Sequence, residues 1–246
     1  MNVILTGITG TLAPFVLEEL EKHGHRVTLW QREDVNLENR EEIKKYIEKQ
    51  NPDYFIHLAT GPESWLDAIL DVLVNLEIPL LWTSSEAVFG SHQIGPFDVD
   101  SMPEPRDEYG KYKRHIEEMI IKKYPERSHI VRLGWQIGNK PEKNNMLAYL
   151  VQGENIEAST NWILSTSFME DTAEALVKLL DSTDFGICHL DSNQDDLSFY
   201  EIVIALKEKY NLPINIIQKS EPIRNNRLVA KRDSIASIGD RLYLHK

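Results

Sequence analysis

Over the first 135 residues, short apolar segments alternate with amphipathic ones, and this alternation constrains the fold more than any other sequence feature. The apolar segments are brief, rich in branched and aromatic residues, and bounded by polar residues or glycine, which is typical of buried strands. They are VILT (3–6), RVTLW (26–30), YFIHLA (54–59), PLLWTS (79–84) and HIVRLG (129–134). Apolar residues recur at helical spacing in segments 12–22, 39–50, 64–75 and 109–123. The pattern predicts an α/β fold with a doubly wound parallel sheet and helices on both faces.

The first strand ends in the turn TGITGTLAP, where Gly7 and Gly10 are three residues apart and Ala13 follows three residues later. Gly7 allows a tight turn, Gly10 lets main-chain N–H groups approach a pyrophosphate, and Ala13 lets the helix pack closely on the strand. A phosphate is then expected at the helix N-terminus. Thr11 and Leu12 are included among the candidate cofactor contacts. A plain turn is the alternative, but the position between the first strand and the first helix favours a Rossmann-type dinucleotide site.

The rest of the chain is less regular, with predicted helices at 145–152, 169–181 and 198–210 and predicted strands near 161–165 and 186–190. We predict a dinucleotide-binding Rossmann domain at 1–135, to which 161–190 returns. Residues 136–160 and 191–246 are expected to form a small C-terminal substrate-binding lobe.

The residues after the second strand indicate which cofactor is preferred. A cofactor with a free ribose 2'-hydroxyl usually meets an acidic residue there, but in LWQRED the first charged residue is Arg32. A guanidinium can clamp a 2'-phosphate with two hydrogen bonds, which favours NADP over NAD. The alternative is a surface arginine paired with Glu33. Further candidate cofactor contacts follow the second and third strands: Asp34, Val35, Leu58, Ala59 and Thr60.

The segment DEYGKYKRHIEEM (107–119) places Tyr109 and Lys113 four residues apart, hence on one face of the predicted helix. A phenol with a pKa of about 10 needs a nearby cation to act in acid–base catalysis at neutral pH, and Lys113 supplies one. Tyr112 has Ile116 at the same spacing and lacks that partner. In TSSEAVFG, Thr83, Ser84 and Ser85 offer hydroxyls at the carboxyl end of the fourth strand, where parallel sheets bind ligands.

These residues resemble the extended short-chain dehydrogenases/reductases, whose signature is Tyr-x-x-x-Lys with a serine or threonine upstream. YGKYK fits that signature, and Ser85 lies 24 residues before Tyr109. SSEAVF, RLGWQIG, the pair Asn144–Asn145, STSFMEDTAEAL and EPIRNNRL are similar to segments of the dTDP-4-dehydrorhamnose reductase-like branch. The resemblance covers roughly residues 1–230.

The resemblance implies a role for each catalytic candidate. Ser85 would polarise a sugar carbonyl, Tyr109 would donate the proton, and Lys113 would lower the pKa of Tyr109 and hold the nicotinamide ribose. Trp135, Asn145 and Arg224 become candidates for the substrate pocket, where an arginine suits a diphosphate and an aromatic ring stacks on a base or sugar. The alternatives are core packing for Trp135 and surface positions for the other two.

The sequence departs from this branch between Ala59 and Ser85, where one helix replaces a longer segment that flanks the cofactor and substrate. Glu86 and Ala87 also stand where the branch has Asp and Tyr. These differences leave the identity of the substrate undetermined, but Ser85, Tyr109 and Lys113 are all present.

Composition excludes several other classes of protein. With 39 acidic and 27 basic residues the net charge is -12, which argues against nucleic acid or an anionic membrane as a partner. A single cysteine, Cys188, and eight histidines without ligand spacing predict no metal site. The acidic run DSNQDD (191–196) is expected to be a solvated loop. We expect a soluble, cytoplasmic protein, and a homodimer stays open.

The resulting prediction is an NAD(P)H-dependent reductase of a nucleotide-linked 4-keto sugar. Two alternatives remain: an epimerase or dehydratase of the same superfamily, and a non-catalytic NAD(P)-binding regulatory subunit.

Overall fold

The structure, a computed structural model, describes residues 1–33, 35–230 and 234–243. Its strands are β1 (Asn2–Thr6), β2 (Arg26–Leu29), β3 (Tyr54–His57), β4 (Leu80–Ser85), β5 (Ser128–Leu133), β6 (Trp135–Ile137), β7 (Asn155–Ser159), β8 (Trp162–Ile163), β9 (Thr166–Phe168), β10 (Gly186–Leu190), β11 (Asn215–Lys219) and β12 (Arg224–Asn225). Its α-helices are α1 (Ala13–Lys22), α2 (Arg40–Gln50), α3 (Glu63–Leu76), α4 (Glu108–Lys123), α5 (Met146–Leu150), α6 (Met169–Lys178), α7 (Phe199–Tyr210) and α8 (Ile238–Leu242). The predicted α/β alternation of the first half is confirmed.

The central sheet has six parallel strands in the order β10-β5-β4-β3-β1-β2. The chain moves from β1 to its neighbour β2 on one side and then returns to pair β3 on the other side of β1. This reversal creates a topological switch point between β1 and β3. Open parallel sheets bind ligands at the carboxyl ends of the strands beside such a point.

The chain divides into two compact units, each with its own core. The first comprises Met1–Ser84, Tyr112–Val131 and Leu176–Cys188. Its core contains apolar side chains of β1, β3 and β4 packed with those of α2, α3 and α4. Helix α3 is buried along most of one side, including Trp65, Leu66 and Ile69. This single helix fills the shortened segment between β3 and β4, as the sequence predicts.

The second unit comprises Ser85–Lys111, Arg132–Ala175 and His189–Lys246. Its main core joins α5, α7 and α8, with Leu147, Ile202 and Leu206 fully buried. Helix α7 starts in a capping box in which Ser198 and Glu201 satisfy each other's main-chain N–H groups. Three two-stranded parallel pairings, β6–β9, β7–β11 and β8–β12, frame this core.

The acidic run at 191–196 is only partly a solvated loop, so that expectation was wrong for its first half. Asp191, Ser192 and Asn193 are fully buried, whereas the next three residues are exposed. The Asp191 carboxylate accepts main-chain N–H groups from Thr166, Asn193 and Leu228 at 2.8–3.1 Å. These hydrogen bonds offset the cost of burying the carboxylate, so Asp191 joins three segments of the second unit.

His57 in β3 is buried, as predicted, and acts in packing. Its ring Nδ1 lies 3.1 Å from Thr6 Oγ1, and the ring meets Trp65 edge-on at 4.7 Å between centroids. Burial, with smaller contributions from Lys113 and Arg32, lowers the pKa of His57 to about 3. The native state therefore holds a neutral imidazole.

We expect this histidine to make the protein sensitive to acid. Between pH 6.5 and about 3 the unfolded chain binds a proton at His57 that the native state excludes, so stability falls as pH falls, by up to about 1.4 kcal/mol per pH unit. Urea unfolding of the wild-type protein and of His57→Asn at pH 7 and pH 5 measures this slope. The variant should lose less stability on acidification; an equal loss in both proteins would refute the assignment.

Candidate active site

A cleft of about 430 Å³ opens in the first unit, where β1, β2 and β3 end. Its lining combines the glycine turn after β1 with the residues that follow β2 and β3. These are Gly7, Ile8, Thr9, Gly10, Trp30, Gln31, Arg32, Glu33, Leu58, Ala59, Thr60 and Trp65. The structure thus brings together six of the predicted cofactor contacts in one cavity at the switch point.

Gly7 is required by the backbone at this turn. Its φ is +80°, and a Cβ there would lie 2.9 Å from the main chain of Leu58 and Ala59. The Gly10 N–H donates to the Gly7 carbonyl at 2.8 Å and closes the turn. A side chain at Gly7 would therefore strain the turn and push β1 away from the segment after β3.

The start of α1 favours an anion. Leu12 is the N-cap and Pro14 lies in the first turn, which contains no acidic residue; no side chain of the described residues caps the helix. Main-chain N–H groups and the positive end of the helix dipole remain for an anionic group. Thr11 and Leu12 immediately precede this helix and are half-buried.

Arg32 is exposed, and its Nη2 donates to the Thr60 carbonyl at 2.8 Å. That hydrogen bond holds the guanidinium on the wall of the cleft. Val35 is 3% exposed and packs in the core of the first unit, so its side chain contributes to packing. Asp34 lies outside the described residues.

Helix α4 carries Tyr109 in its first turn and Lys113 one turn later. Tyr109 is 49% exposed, whereas the Tyr112 hydroxyl donates to the Gly61 carbonyl at 2.9 Å. The two tyrosines therefore differ in environment: one ring is accessible and the other is held by the main chain after β3. A proton donor must be accessible to its substrate, and the assignment of that role to Tyr109 stays a prediction.

Lys113 is 4% exposed and lies on the end of β4. Its Nζ donates to the Thr83 carbonyl at 2.8 Å and sits 4.6 Å from the centroid of the Trp82 ring. Burial lowers the pKa of Lys113 to about 8, while the charge of Glu117 acts in the opposite direction. At neutral pH Lys113 is therefore still mainly cationic, with its charge fixed in position.

Glu117, one further turn along α4, is completely buried. Its Oε1 accepts the Ser84 hydroxyl at 2.6 Å, and its Oε2 lies 3.4 Å from Arg114. Sequence reasoning missed this residue, although its spacing of four from Lys113 was a usable signal. Glu117 supplies a negative charge next to the buried lysine.

In the second unit, Ser85 ends β4 and its Oγ accepts the Ala87 N–H at 3.2 Å. Gly110, beside Tyr109, has no room for a Cβ because the Ala87 carbonyl oxygen occupies that space. Only glycine allows the start of α4 to lie so close to the segment that follows Ser85. The second unit thereby brings the regions of Ser85 and Tyr109 together.

Arg224, one of the predicted substrate contacts, is half-buried beside Glu86, which is also half-buried. Arg224 Nη2 lies 3.8 Å from Glu86 Oε2. Burial raises the pKa of Glu86, while a hydrogen bond from Asn226 and the charge of Arg224 lower it. Arg224 is consequently part of an ion pair rather than an isolated surface residue.

The other two substrate candidates have structural contacts. Trp135 packs against Tyr149 and Phe199 at centroid distances of 5.1 and 6.1 Å. Asn145 caps α5 by accepting the Ala148 N–H, and its amide donates to two carbonyls of the preceding loop. The side chain of Asn145 is thus fully used in forming the loop.

Among the described residues, no group of three or more histidine, cysteine, aspartate or glutamate side chains is arranged to hold a metal ion. No helix in the part of the chain that the structure describes is long and apolar enough to cross a membrane.

Known proteins resemble the chain over most of its length. Bacillus subtilis spore coat polysaccharide biosynthesis protein SpsK is 24% identical over 236 residues, covering 88% of this chain and 82% of the relative. Methionine adenosyltransferase 2 subunit beta from Xenopus laevis is 24% identical over 248 residues, covering 86% and 73% of the two chains.

The fold agrees with a solved structure of dTDP-4-dehydrorhamnose reductase from Bacillus anthracis in complex with NADP. The TM-score is 0.83 at 17% identity, covering 98% of this chain and 97% of the other. In addition, the model of the family described as "RmlD substrate binding domain" matches residues 68–236, which is more than half of the chain. The chain therefore belongs to the RmlD substrate-binding domain family.

Proposed function

We propose that the protein is an NADPH-preferring reductase of a nucleotide-linked 4-keto sugar, with the cofactor held by the first unit and the sugar nucleotide by the second. The observation that carries this proposal is Lys113, a cation fixed on the end of β4 one helical turn after an accessible Tyr109. Burying a lysine costs free energy, and buried ionisable groups with shifted pKa values are concentrated at functional sites. The reductase named among the structural relatives supports the same chemistry.

The cleft of the first unit fits a dinucleotide phosphate. The glycine turn and the uncapped start of α1 would hold the pyrophosphate through main-chain N–H groups. Arg32, held by the Thr60 carbonyl, would bind a 2'-phosphate. When bound, NADPH supplies the hydride for the carbonyl carbon.

The side chains of the protein would handle the charge and the proton. As negative charge develops on the carbonyl oxygen, Ser85 Oγ–H stabilises it by a hydrogen bond and Tyr109 Oη delivers the proton, giving the alcohol. The remaining tyrosinate is stabilised by Lys113 Nζ, which keeps the phenol acidic enough to act near neutral pH. Tyr109 then recovers its proton from solvent.

The direct test follows NADPH and NADH consumption optically with a panel of nucleotide-linked 4-keto-6-deoxy sugars. Sugar-dependent oxidation that favours NADPH is the expected result. Binding of both cofactors without consumption by any sugar would contradict the reductase assignment.

Cofactor preference gives a separate prediction at Arg32. Arg32→Ser should weaken NADPH binding by about 10- to 100-fold, because a charge-assisted hydrogen bond to a phosphate contributes roughly 1.5–3 kcal/mol. NADH binding should change by less than about threefold, since NADH lacks the 2'-phosphate. Fluorescence titration of both cofactors measures the two dissociation constants.

Arg26→Ser is the matched control, because Arg26 is exposed at the amino end of β2 whereas the cleft lies at the carboxyl end. It should leave both dissociation constants unchanged. Equal weakening of NADPH binding and NADH binding by Arg32→Ser would show that Arg32 stabilises the cleft without contacting the 2'-phosphate.

A second candidate function is a cofactor-binding regulatory subunit without turnover. The similarity to methionine adenosyltransferase 2 subunit beta and the single helix between β3 and β4 favour it. It predicts tight NADPH binding, no oxidation with any sugar, and no effect of replacing Tyr109. The oxidation assay therefore separates the two candidates.

A further inference from the structure

Four polar and aromatic side chains of the second unit form one cluster, here called the Glu86 cluster: Glu86, Trp162, Arg224 and Asn226. Glu86 follows Ser85 directly in the chain and opens a short 3-10 helix, Glu86–Val88. Arg224 lies in β12 and pairs in register with Trp162 of β8, and Asn226 follows β12. Three separate segments therefore converge next to the proposed catalytic hydroxyl.

The contacts within the cluster fix its donors and acceptors. Trp162 Nε1 donates to Asn226 Oδ1 at 2.7 Å, so the Asn226 amide uses its NH₂ group to hydrogen-bond Glu86. The Arg224 guanidinium lies 5.6 Å from the centroid of the Trp162 ring. The ring and the amide hold the charged pair from two sides.

The charged pair leaves hydrogen-bonding capacity unused. Glu86 Oε2 and Arg224 Nε are buried atoms that make no hydrogen bond to any described residue, and Arg224 Nη2 is 3.8 Å from Oε2, beyond hydrogen-bond range. Leaving such atoms unpaired costs roughly 1–3 kcal/mol each. The side chains as a whole are 19% and 27% exposed, so a ligand can contact their other atoms, whereas Oε2 and Nε themselves are buried.

The charge balance selects the class of ligand. Glu86 neutralises Arg224, so the cluster offers little net attraction to a diphosphate, the group that the family resemblance suggests for Arg224. A hydroxyl group is both donor and acceptor, so it can donate to the Glu86 carboxylate while accepting from the Arg224 guanidinium. Trp162 is half-buried in the same cluster, and an indole ring can pack against a sugar ring.

We propose that the Glu86 cluster binds hydroxyl groups of the substrate's sugar ring, and that Arg224 does not bind the diphosphate. This inference rests on the proposed function for the identity of the substrate. It assigns the cluster to sugar selectivity, because a sugar without the matching hydroxyl cannot hydrogen-bond to the carboxylate and the guanidinium.

The test compares two probes, dTDP and dTDP-glucose, by calorimetric titration of the NADP⁺-saturated protein. The wild-type protein should bind dTDP-glucose at least about tenfold more tightly than dTDP, in line with hydrogen bonds to charged groups. Glu86→Gln and Arg224→Gln should each reduce that advantage to below about threefold while dTDP binding stays within about twofold.

Lys219→Gln provides the control for loss of a positive charge in the same unit, since Lys219 is exposed and its ion pair with Glu157, at 3.1 Å, lies at the surface, where such pairs contribute little to stability. It should change neither dissociation constant. Circular dichroism and NADP⁺ affinity report whether each variant is folded.

Two results overturn the inference. Equal loss of dTDP and dTDP-glucose binding in Arg224→Gln would assign the arginine to the diphosphate. Wild-type protein that binds dTDP-glucose no more tightly than dTDP would show that the sugar adds no binding energy. Failure of the proposed function is seen separately, as absent NADPH oxidation with every 4-keto sugar, because the binding comparison requires no turnover.

Discussion

Tyr109→Phe is expected to lower kcat for NADPH-dependent sugar reduction by about 10²- to 10⁴-fold, the range for loss of a positioned general acid. The substitution removes one oxygen from a side chain that is 49% exposed, so stability should hardly change. NADPH affinity should stay within about threefold of the wild-type value, because the hydroxyl oxygen is the only group removed that could contact the cofactor. Stopped-flow or steady-state oxidation, combined with cofactor titration, measures both quantities.

Tyr112→Phe is the matched control three residues later on the same helix. Its hydroxyl donates to the Gly61 carbonyl, so its removal should cost about 1 kcal/mol of stability and leave kcat within a few-fold. If Tyr112→Phe were inactive and Tyr109→Phe active, Tyr112 and not Tyr109 would be the proton donor.

Lys113→Met should also lower kcat by about 100-fold or more, because the developing tyrosinate loses the cation that stabilises it. Methionine retains an unbranched apolar chain and loses the ammonium group that lies 4.6 Å from the centroid of the Trp82 ring, which makes loss of the charge the main change. Lys111→Met removes an exposed lysine paired with Glu108 on the same helix and should be nearly neutral. Steady-state kinetics of the two variants provide the comparison.

The pH profile tests the same assignment. Lys113 carries its charge below its pKa of about 8, so kcat for reduction should decline as pH rises through that value. The Glu117 charge raises the pKa of Lys113, so Glu117→Gln should move this decline to lower pH. An unchanged profile in Glu117→Gln would mean that the decline does not come from Lys113.

The order of strands and helices in the first half follows from the sequence, because strands and helices there have short, distinct periodicities with clear ends. The order of the strands within the sheet does not follow from it. Whether β3 pairs with β1 or with β2 depends on packing between elements far apart in the chain. The two-residue strands β8 and β12 are also too short to show a period.

The candidate site shows the same division at the level of single residues. The Gly7 turn was predictable because a positive φ demands glycine, and the structure has φ of +80° there. Val35 and Asn145 were chosen by their positions in the chain, yet one packs in the core and the other closes a loop. Asp191 looked like part of a solvated run, but its carboxylate accepts N–H groups from the distant Thr166 and Leu228 as well as from nearby Asn193.

Sequence alone determined the fold class, the glycine turn and the Tyr109–Lys113 spacing, because each depends on residues within one turn or one helix. Only the tertiary structure decided that Lys113 is buried, with its ammonium group donating to the Thr83 carbonyl, and that Glu86 neutralises Arg224. Burial and charge pairing set pKa values and ligand preference, and both arise from residues that lie far apart in the chain and meet only in the folded protein.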